Sequence, residues 1–434
     1  MKILSRTFIF LLATLVSAVA TAQEKRSLGL DEALRLAAEG NGTLKRKSAE
    51  LMAARAKANQ SLAAFLPQAE LSTSFVRTND PLNVFGFRLK QGIVTQEDFV
   101  PASLNNPSGF TNYSTRAEIR QPIFNLDGLY GRKAARYQVK SKEFELERTK
   151  KAIDLEVRRQ YFAVGLANGR VEVLEKALAT AEATLKVVED SKGQGYAKES
   201  DLLEVRIHAL DLDRKLDQAK SDRQTSNDYL AMLLGISDTE IEPADMLVIE
   251  SASAEAPELS KNRDDIRAYE MGLEAAKSMV GAKASGFVPR VNAVGAFETN
   301  GDQVLGSGQD NYLVGVSLSW KLFNGYKNVG ELREAKAKVA EAGQAFEDYK
   351  RQSSIELEKT YREYEVSRKG LATAETAEKH AKENLRITSD RFAEGMEKTS
   401  DLLRAQTLLA EKRLEALNAR YGYVMMGYYL EFLR

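Results

Sequence analysis

The sequence predicts a mainly α-helical protein with a small β part, built from two similar halves in the order helix, strand, strand, long helix, helix. Three observations lead there. Of 434 residues, 29% are charged, with 62 basic residues balancing 62 acidic ones, while there are only 8 Pro and 28 Gly. That composition, rich in Ala, Glu, Lys, Leu and Arg, belongs to long helices and coiled coils. A second observation is a repeat: Gly195-Tyr-Ala-Lys-Glu-Ser-Asp201-Leu-Leu203 returns as Gly395-Met-Glu-Lys-Thr-Ser-Asp401-Leu-Leu403, 200 residues later. The third is short segments of alternating apolar and polar residues between the helical stretches.

Residues 1–22 read as a signal peptide: Lys2 and Arg6 precede an apolar run from Thr7 to Val19, and Ala20-Thr21-Ala22 offers a small-x-small cleavage site. The run is too short to span a membrane as a helix, which takes ~20 apolar residues, and no later stretch is long and apolar enough. If the mature chain sits in a membrane, strands must place it there.

The duplication extends well beyond the matched turns. The offset of 200 also pairs Tyr161 with Tyr361, Ala181 with Ala381, Leu185 with Leu385 and Tyr229 with Tyr429. Phe65-Leu-Pro67 answers Phe287-Val-Pro289, and Phe124-Asn125 answers Phe323-Asn324. The chain therefore divides into a first repeat at 23–235, a linker at 236–261 that carries Pro243 and Pro257, and a second repeat at 262–434.

Within each half the helices carry a heptad pattern. Ala167, Val171, Leu174, Leu178, Ala181, Leu185 and Val188 alternate steps of four and three, as do Leu403, Thr407, Ala410, Leu414, Leu417, Tyr421, Val424 and Tyr428. Such spacing averages 3.5 residues and makes a left-handed coiled-coil seam. The longest helix is expected from about 129 to 192, ~95 Å at 1.5 Å per residue. Its apolar stripe reads as core and not as a cofactor site.

Strands are expected near 70–77, 112–124, 290–298 and 311–323. In the last, Tyr312, Val314, Val316, Leu318, Trp320 and Leu322 alternate with small or polar residues. A membrane-spanning strand takes ~9–11 residues with an apolar outer face and aromatic residues near the interfaces. Tyr113, Phe124, Tyr312, Trp320 and Phe323 stand at strand ends as candidate interface aromatics. Four strands cannot close a barrel, and open edges in lipid leave backbone groups unsatisfied. Closure needs at least two copies, and three copies would supply twelve strands; the arithmetic does not choose. A pair of half-buried hairpins on a secreted coiled-coil scaffold or adaptor is the alternative on these grounds.

Much chemistry is excluded. With no Cys, there is no disulfide or thiolate metal site, and two histidines, His208 and His380, cannot build a histidine-rich one. Both histidines sit among charged neighbours and read as solvated. No phosphate-binding loop, Gly-x-Ser-x-Gly or His-Glu-x-x-His is present, so no catalytic residues, metal or cofactor are expected. Balanced charge and the lack of a basic cluster speak against nucleic acid as a partner.

Leu28-Gly-Leu-Asp-Glu-Ala-Leu34 with Asn41, the two Phe-x-Pro entries to strands, Gln121-Pro-Ile-Phe124 and the paired Gly…Asp-Leu-Leu turns together resemble the TolC-type outer-membrane efflux proteins. The resemblance spans essentially the whole mature chain. Gly42 stands where that family usually has Pro, and the lipoprotein cysteine of some members is missing. What the resemblance implies is a homotrimer whose long helices form an α-helical barrel through the periplasm, joined to a 12-stranded β-barrel in outer-membrane lipid. It implies an exit duct of a tripartite efflux pump or type I secretion system, with a periplasmic adaptor (membrane fusion) protein and an inner-membrane transporter as partners.

The helix-to-helix turns are then the candidate functional tips. Gly195 and Gly395 suit a left-handed turn. Asp201 and Asp401 open the following helices, where carboxylates also serve as ordinary caps. By the resemblance, Asp401, Asp201 and Glu204 ring a closed pore constriction; Arg404 stands in the second half at the position of Glu204. An acidic ring attracts cations. Gly195, Tyr196, Gly395 and Met396 are the expected adaptor contacts. Thr78 to Asn112 reads as a long loop on the outer side, where its aromatic residues hint at folding over the mouth and an ordinary surface loop is the plainer reading.

Overall fold

The computed structural model describes residues 24–236, 239–244, 258–304 and 308–434. The expected signal peptide and most of the expected linker, including Pro257, lie outside the described residues. In chain order the elements are β1 (Glu24–Leu28), α1 (Leu30–Gly40), α2 (Gly42–Gln60), β2 (Gln68–Thr78), α3 (Pro81–Gln91), α4 (Pro101–Asn105), β3 (Phe110–Phe124) and α5 (Leu126–Gly193). There follow α6 (Glu199–Leu234), β4 (Thr239–Pro243), α7 (Asp264–Ala284), β5 (Arg290–Gly301), β6 (Gln309–Ser319), α8 (Lys327–Ala393) and α9 (Thr399–Leu433). The repeat is plain in this order: α2, β2, β3, α5 and α6 are matched by α7, β5, β6, α8 and α9.

The chain forms two compact units, and the long helices contribute residues to both. One unit takes the described residues within 1–42, 153–253 and 362–431. Its core gathers Leu28, Ala33, Ala37, Val157, Tyr161, Phe162, Leu230, Leu234 and Ile241 around the parallel pair β1 and β4. Tyr161 is fully buried, and its hydroxyl donates to the Leu28 carbonyl at 2.8 Å, which satisfies the one polar atom that burial would strand. Gly40 and Gly235 let α1 and the end of α6 touch: a Cβ on Gly40 would stand 2.4 Å from the Leu234 carbonyl oxygen. Below this core the α5 seam residues Val171, Leu174 and Ala181 bury against Leu212, Leu216 and Ala219 of α6. Alanine at a seam position lets the backbones approach, and Ala181 is fully buried.

The other unit takes the described residues within 43–152, 254–361 and 432–434 and holds the antiparallel sheet, in the order β2-β3-β5-β6. Pro122 lies in β3, where it has no N–H to give the ladder, and the register slips there between Pro122 and Phe124. Strand β6 ends at Ser319, so Trp320 and Phe323, expected within the strand, lie just beyond it. The same unit carries a buried ionic cluster. Arg263 donates from Nε to Asp265 at 2.7 Å, Arg148 Nε lies 3.0 Å from the same carboxylate, and the Tyr349 hydroxyl donates to it at 2.7 Å. The two guanidinium groups also donate to the Leu433 and Phe432 carbonyls, which caps the open end of α9.

The segment expected as a plain loop between β2 and β3 is largely helical. Asp80 accepts from the Asn83 N–H at 2.8 Å with Pro81 at the first helical position, and Gly92 closes α3 at φ 68°. Thr95 and Asp98 then cap a short 3-10 turn ahead of α4. Asp98 is held below the ordinary carboxylate range by the Thr95 N–H, and the nearby Arg88 cation adds to this. The local capping signals were in the sequence, but the segment is too short for a period to reveal them.

Candidate functional site

The two tip turns share one geometry. After α5, the Gly195 N–H donates to the Lys192 carbonyl at 2.9 Å and the Tyr196 N–H to Ser191 at 2.8 Å. After α8, Gly395 donates to Phe392 at 3.0 Å and Met396 to Arg391 at 2.9 Å. Each is a Schellman motif, whose first residue past the helix must be left-handed. Gly195 and Gly395 supply φ of 82° and 74°. The next side chain is thrown outward: Tyr196 is 83% exposed and Met396 58%.

The helix that follows each turn begins with a lysine at the capping position and not with the acid. Asp201 sits three residues in, where its carboxylate accepts the Lys198 N–H at 3.2 Å and a weaker contact from the Ser200 hydroxyl. Asp401 occupies the matching position of α9, its own N–H bonded to the Lys398 carbonyl at 3.1 Å. Both aspartates are half-buried, and both Glu204 and Arg404 are exposed. The chain brings the two tips side by side, because Leu403 packs with Val188, Leu202 and Val205. Higher up, Gln406 donates to the Thr184 hydroxyl at 2.9 Å within the buried seam. Around the turns Lys192 pairs with Glu199, and Arg206 with Glu189 at 2.8 Å.

The sheet presents two opposed chemistries. Through the registered pairs, Leu71, Phe75, Ile119, Phe297, Tyr312, Val314, Val316 and Leu318 fall on one face, each half or more exposed. The other face carries a ladder of charge: Arg116 bonds Glu118 at 3.0 Å and Glu298 at 3.2 Å, and Arg120 bonds Glu118 at 2.8 Å. Lys90 of α3 reaches Glu298 at 3.0 Å, so α3 packs on this polar side.

The candidate aromatics separate into two bands. Tyr113 meets Phe75 at a tilt of 50° with centroids 5.0 Å apart, and Phe297 is the register partner of Tyr312, all near the strand ends that lead to α3 and α4. At the other end are Phe124, Trp320 and Phe323. The indole N–H of Trp320 donates to the Phe287 carbonyl at 3.0 Å, and Phe323 meets Tyr326 edge-on. Sequence reasoning did not single out Phe75, Phe297, Lys90 or Glu298. Period two already put the phenylalanines on the apolar face, whereas the meeting of Lys90 with Glu298 needs the strand register.

Half-buried His208 departs from the solvated setting expected for it. Burial, with Lys215 nearby, pulls its pKa down. It lines a small crevice with Thr180, Gln406 and Arg413. His380 is exposed. Among the described residues no group of acidic or imidazole side chains could hold a metal ion, and no helix is long and apolar enough to cross a membrane.

The family model described as outer membrane efflux protein matches residues 33–236 and 256–425, far more than half of the chain. Among curated relatives, protein CyaE of Bordetella pertussis is 29% identical over 150 residues, 34% of this chain and 31% of that protein. The solvent efflux pump outer membrane protein SrpC of Pseudomonas putida is 26% identical over 219 residues, 47% of this chain and 46% of that one. The chain thus spans from about a third to about half the length of the curated relatives it matches. Solved structures match along nearly the whole fold. The Campylobacter jejuni CmeC outer membrane channel superposes with a TM-score of 0.77 at 17% identity, covering 93% of this chain and 85% of that one. VceC of Vibrio cholerae gives 0.77 at 19%, covering 93% and 94%. A channel family of the outer membrane accounts for the amphipathic sheet and the long helical hairpins, and it performs no reaction. The chain belongs to the outer membrane efflux protein family.

Proposed function

We propose that three copies of this chain form a tunnel that serves as the exit duct of a tripartite efflux pump or type I secretion system. The observation that carries the reading is the sheet. It has an apolar face, a charged face and two free edges, β2 and β6. Strand edges cannot face hydrocarbon, because each unpaired backbone group costs several kcal/mol there. Joining β6 of one copy to β2 of the next removes every edge. Bacterial barrels begin at eight strands, so two copies reach the minimum, and the resemblance to TolC-type proteins favours three and twelve strands. The charged ladder then faces the water-filled lumen, and the two aromatic bands sit at the lipid interfaces.

Cargo passes without chemistry, driven by an inner-membrane transporter that a periplasmic adaptor couples to the tips. Efflux-pump and channel names among the relatives support this role. Tyr196 and Met396, thrown outward by Gly195 and Gly395, are the adaptor contacts. Asp401 and Asp201, with Glu204 one turn on, ring the narrow end of the tunnel, where an acidic ring holds cations and slows their passage. The secreted scaffold reading leaves the apolar sheet face without a use and does not suit an outer-membrane protein.

Mass measurement after outer-membrane isolation, detergent extraction and brief amine cross-linking tests the reading. A trimer is the expected result. A monomer, or material found in the soluble periplasm, overturns it.

A further inference from the structure

Between β2 and β3 the chain spends far more residues than the ~2–5 of a hairpin turn, and it folds them over the polar side of the sheet. Helix α3 starts at Pro81, just past the outer end of β2, and closes at Gly92, where a Cβ would stand 2.6 Å from the Gln309 side chain at the start of β6. It therefore crosses the sheet from one edge strand to the other. The lengths agree: three strand spacings of ~4.8 Å make ~14 Å, and the 11 residues of α3 make ~16 Å at 1.5 Å each. The side of α3 that meets the sheet is polar. Gln91 bonds Asn112 and the Gly301 carbonyl, and Lys90 bonds Glu298. Asn112 and Asn300, beneath it, are only 2% and 1% exposed. These strand residues belong to the charged face, since Arg116 pairs with Glu298 and Ser114 with Asn300. The side turned away from the sheet is apolar. Leu82 and Leu89 are 81% and 52% exposed, and Gly86 between them faces open space. Steps of four and three set these three on one line of the helix, opposite buried Val84 and Gln91.

We propose that α3 is a lid across the outer mouth of the duct, and that Leu82, Gly86 and Leu89 line an apolar constriction at its centre. This rests on the proposed trimeric duct and adds a barrier at the end remote from the tips. Size decides it. Twelve strands ~4.8 Å apart and tilted ~40° give a circumference of ~75 Å and a radius of ~12 Å. Three helices laid as chords of that circle run ~6 Å from its axis, and a helix with its side chains has a radius of ~5–6 Å. The gap left between them is narrower than a water molecule. An apolar constriction of that width sheds water and stops ions. It selects by chemistry: apolar cargo can slide along Leu82 and Leu89, whereas hydrophilic solutes outside are kept from the charged lumen. The bonds that hold α3 to the sheet are polar, so water can replace them when driven cargo arrives from below.

The chain has no cysteine, so introduced thiols report access. Ser317 of β6 is exposed on the charged face near the far end of the sheet, and Asp302 is exposed at the rim just beyond β5. The probe is a polyethylene-glycol maleimide too large for porins, added to intact cells. Asp302→Cys should label in every background, and Ser317→Cys should stay near background while α3 is in place. Replacing 81–105 by a short Gly-Ser linker should raise labelling of Ser317→Cys several-fold. Leu82→Asp with Leu89→Asp should raise it too, because like charges crowded around the axis repel; both positions are exposed, so the fold does not depend on them. Equal labelling of Ser317→Cys with and without the segment, beside a labelled Asp302→Cys, overturns the lid and leaves the duct standing. Opening by the deletion and not by the two aspartates overturns the apolar constriction. Failure to label Asp302→Cys in any background overturns the outer-membrane duct itself.

Discussion

Replacing Gln91 with leucine should loosen the helical segment that packs on the polar side of the sheet. Its amide nitrogen lies 3.1 Å from the Thr111 carbonyl, 2.9 Å from Asn112 Oδ1 and 3.0 Å from the Gly301 carbonyl, and the residue is 8% exposed. An amide has two protons for these three acceptors, so the substitution removes at most two full hydrogen bonds. Leucine keeps most of the volume, so the packing loss is small. At ~0.5–1.5 kcal/mol net per bond, the cost is about 1–3 kcal/mol, or roughly a 5- to 150-fold rise in the population with α3 detached. Asn112 keeps its own bond to Asn300 Oδ1 at 2.9 Å, so the strands should hold. Amide hydrogen exchange on the detergent-solubilised protein reads this directly. Protection across 81–105 should fall by that factor, while protection in β3 and β5 stays. Gln91→Glu should do more, since a carboxylate would face two carbonyls and an amide oxygen. Unchanged exchange in 81–105 for both variants would show that Lys90 with Glu298 and the caps of α3 hold the segment without Gln91.

Three other outcomes can be checked with less work. Asp265→Asn removes the anion shared by Arg148 and Arg263; stranding two buried cations costs about 3–5 kcal/mol, visible as a lower thermal midpoint. Burial pushes the Asp265 carboxyl up, but the Arg263 and Tyr349 hydrogen bonds and the Arg148 charge outweigh it, so its pKa lies below the ordinary value. The stability it contributes is therefore present above the unfolded value of ~3.9 and lost as pH falls through the folded pKa, so the Asn variant should lose less stability on acidification than the parent. Asp401→Ala should raise single-channel conductance in planar bilayers or weaken block by multivalent cations; unchanged conductance and block would remove it from the constriction. Met396→Glu alters an exposed tip side chain without touching the left-handed turn, so transport should fail with the trimer intact; full transport would place the adaptor elsewhere.

Where one period repeats for many residues, the sequence was easy to read. The α5 helix was expected from about 129 to 192 and runs Leu126–Gly193, since a heptad stripe averages out local irregularity. The left-handed turns were visible because Gly195 and Gly395 recur at matching places between two helical stretches, and φ at both is positive. Less legible were features made by two distant segments. No local pattern shows that Gln91 reaches Asn112, or that Lys90 finds Glu298, because strand register decides both. The end of β6 was misplaced for a similar reason: alternation continues through Trp320 and Leu322, but Arg290 is the last residue of β5 available to pair, and its partner is Ser319. At the tips the acids looked like helix caps, yet the chain reaches the helix through Lys198, which leaves Asp201 to bond backward from the first turn.

At the candidate tips the two repeats share one backbone geometry and differ in charge. Their turns keep the same glycine, the same bonds and the same aspartate, since backbone geometry fixes them. The neighbours change sign: Glu204 faces solvent in one half and Arg404 in the other, and the buried Gln406 answers the exposed, ion-paired Arg206. A ring built from three chains would then alternate two kinds of tip in place of six equal ones. Arg404 offsets part of the field of Asp401 in its own tip, while Glu204 reinforces Asp201 in the other. Divergence also follows burial. Gln406 sits inside a contact made within one chain, where a guanidinium would be stranded, whereas Arg206 is exposed and pairs with Glu189 at the surface. The duplicated gene product has thus kept the residues that shape the turn and varied those that tell one tip from the other. Under the proposed docking at the tips, selectivity between adaptor hairpins would come from that second set.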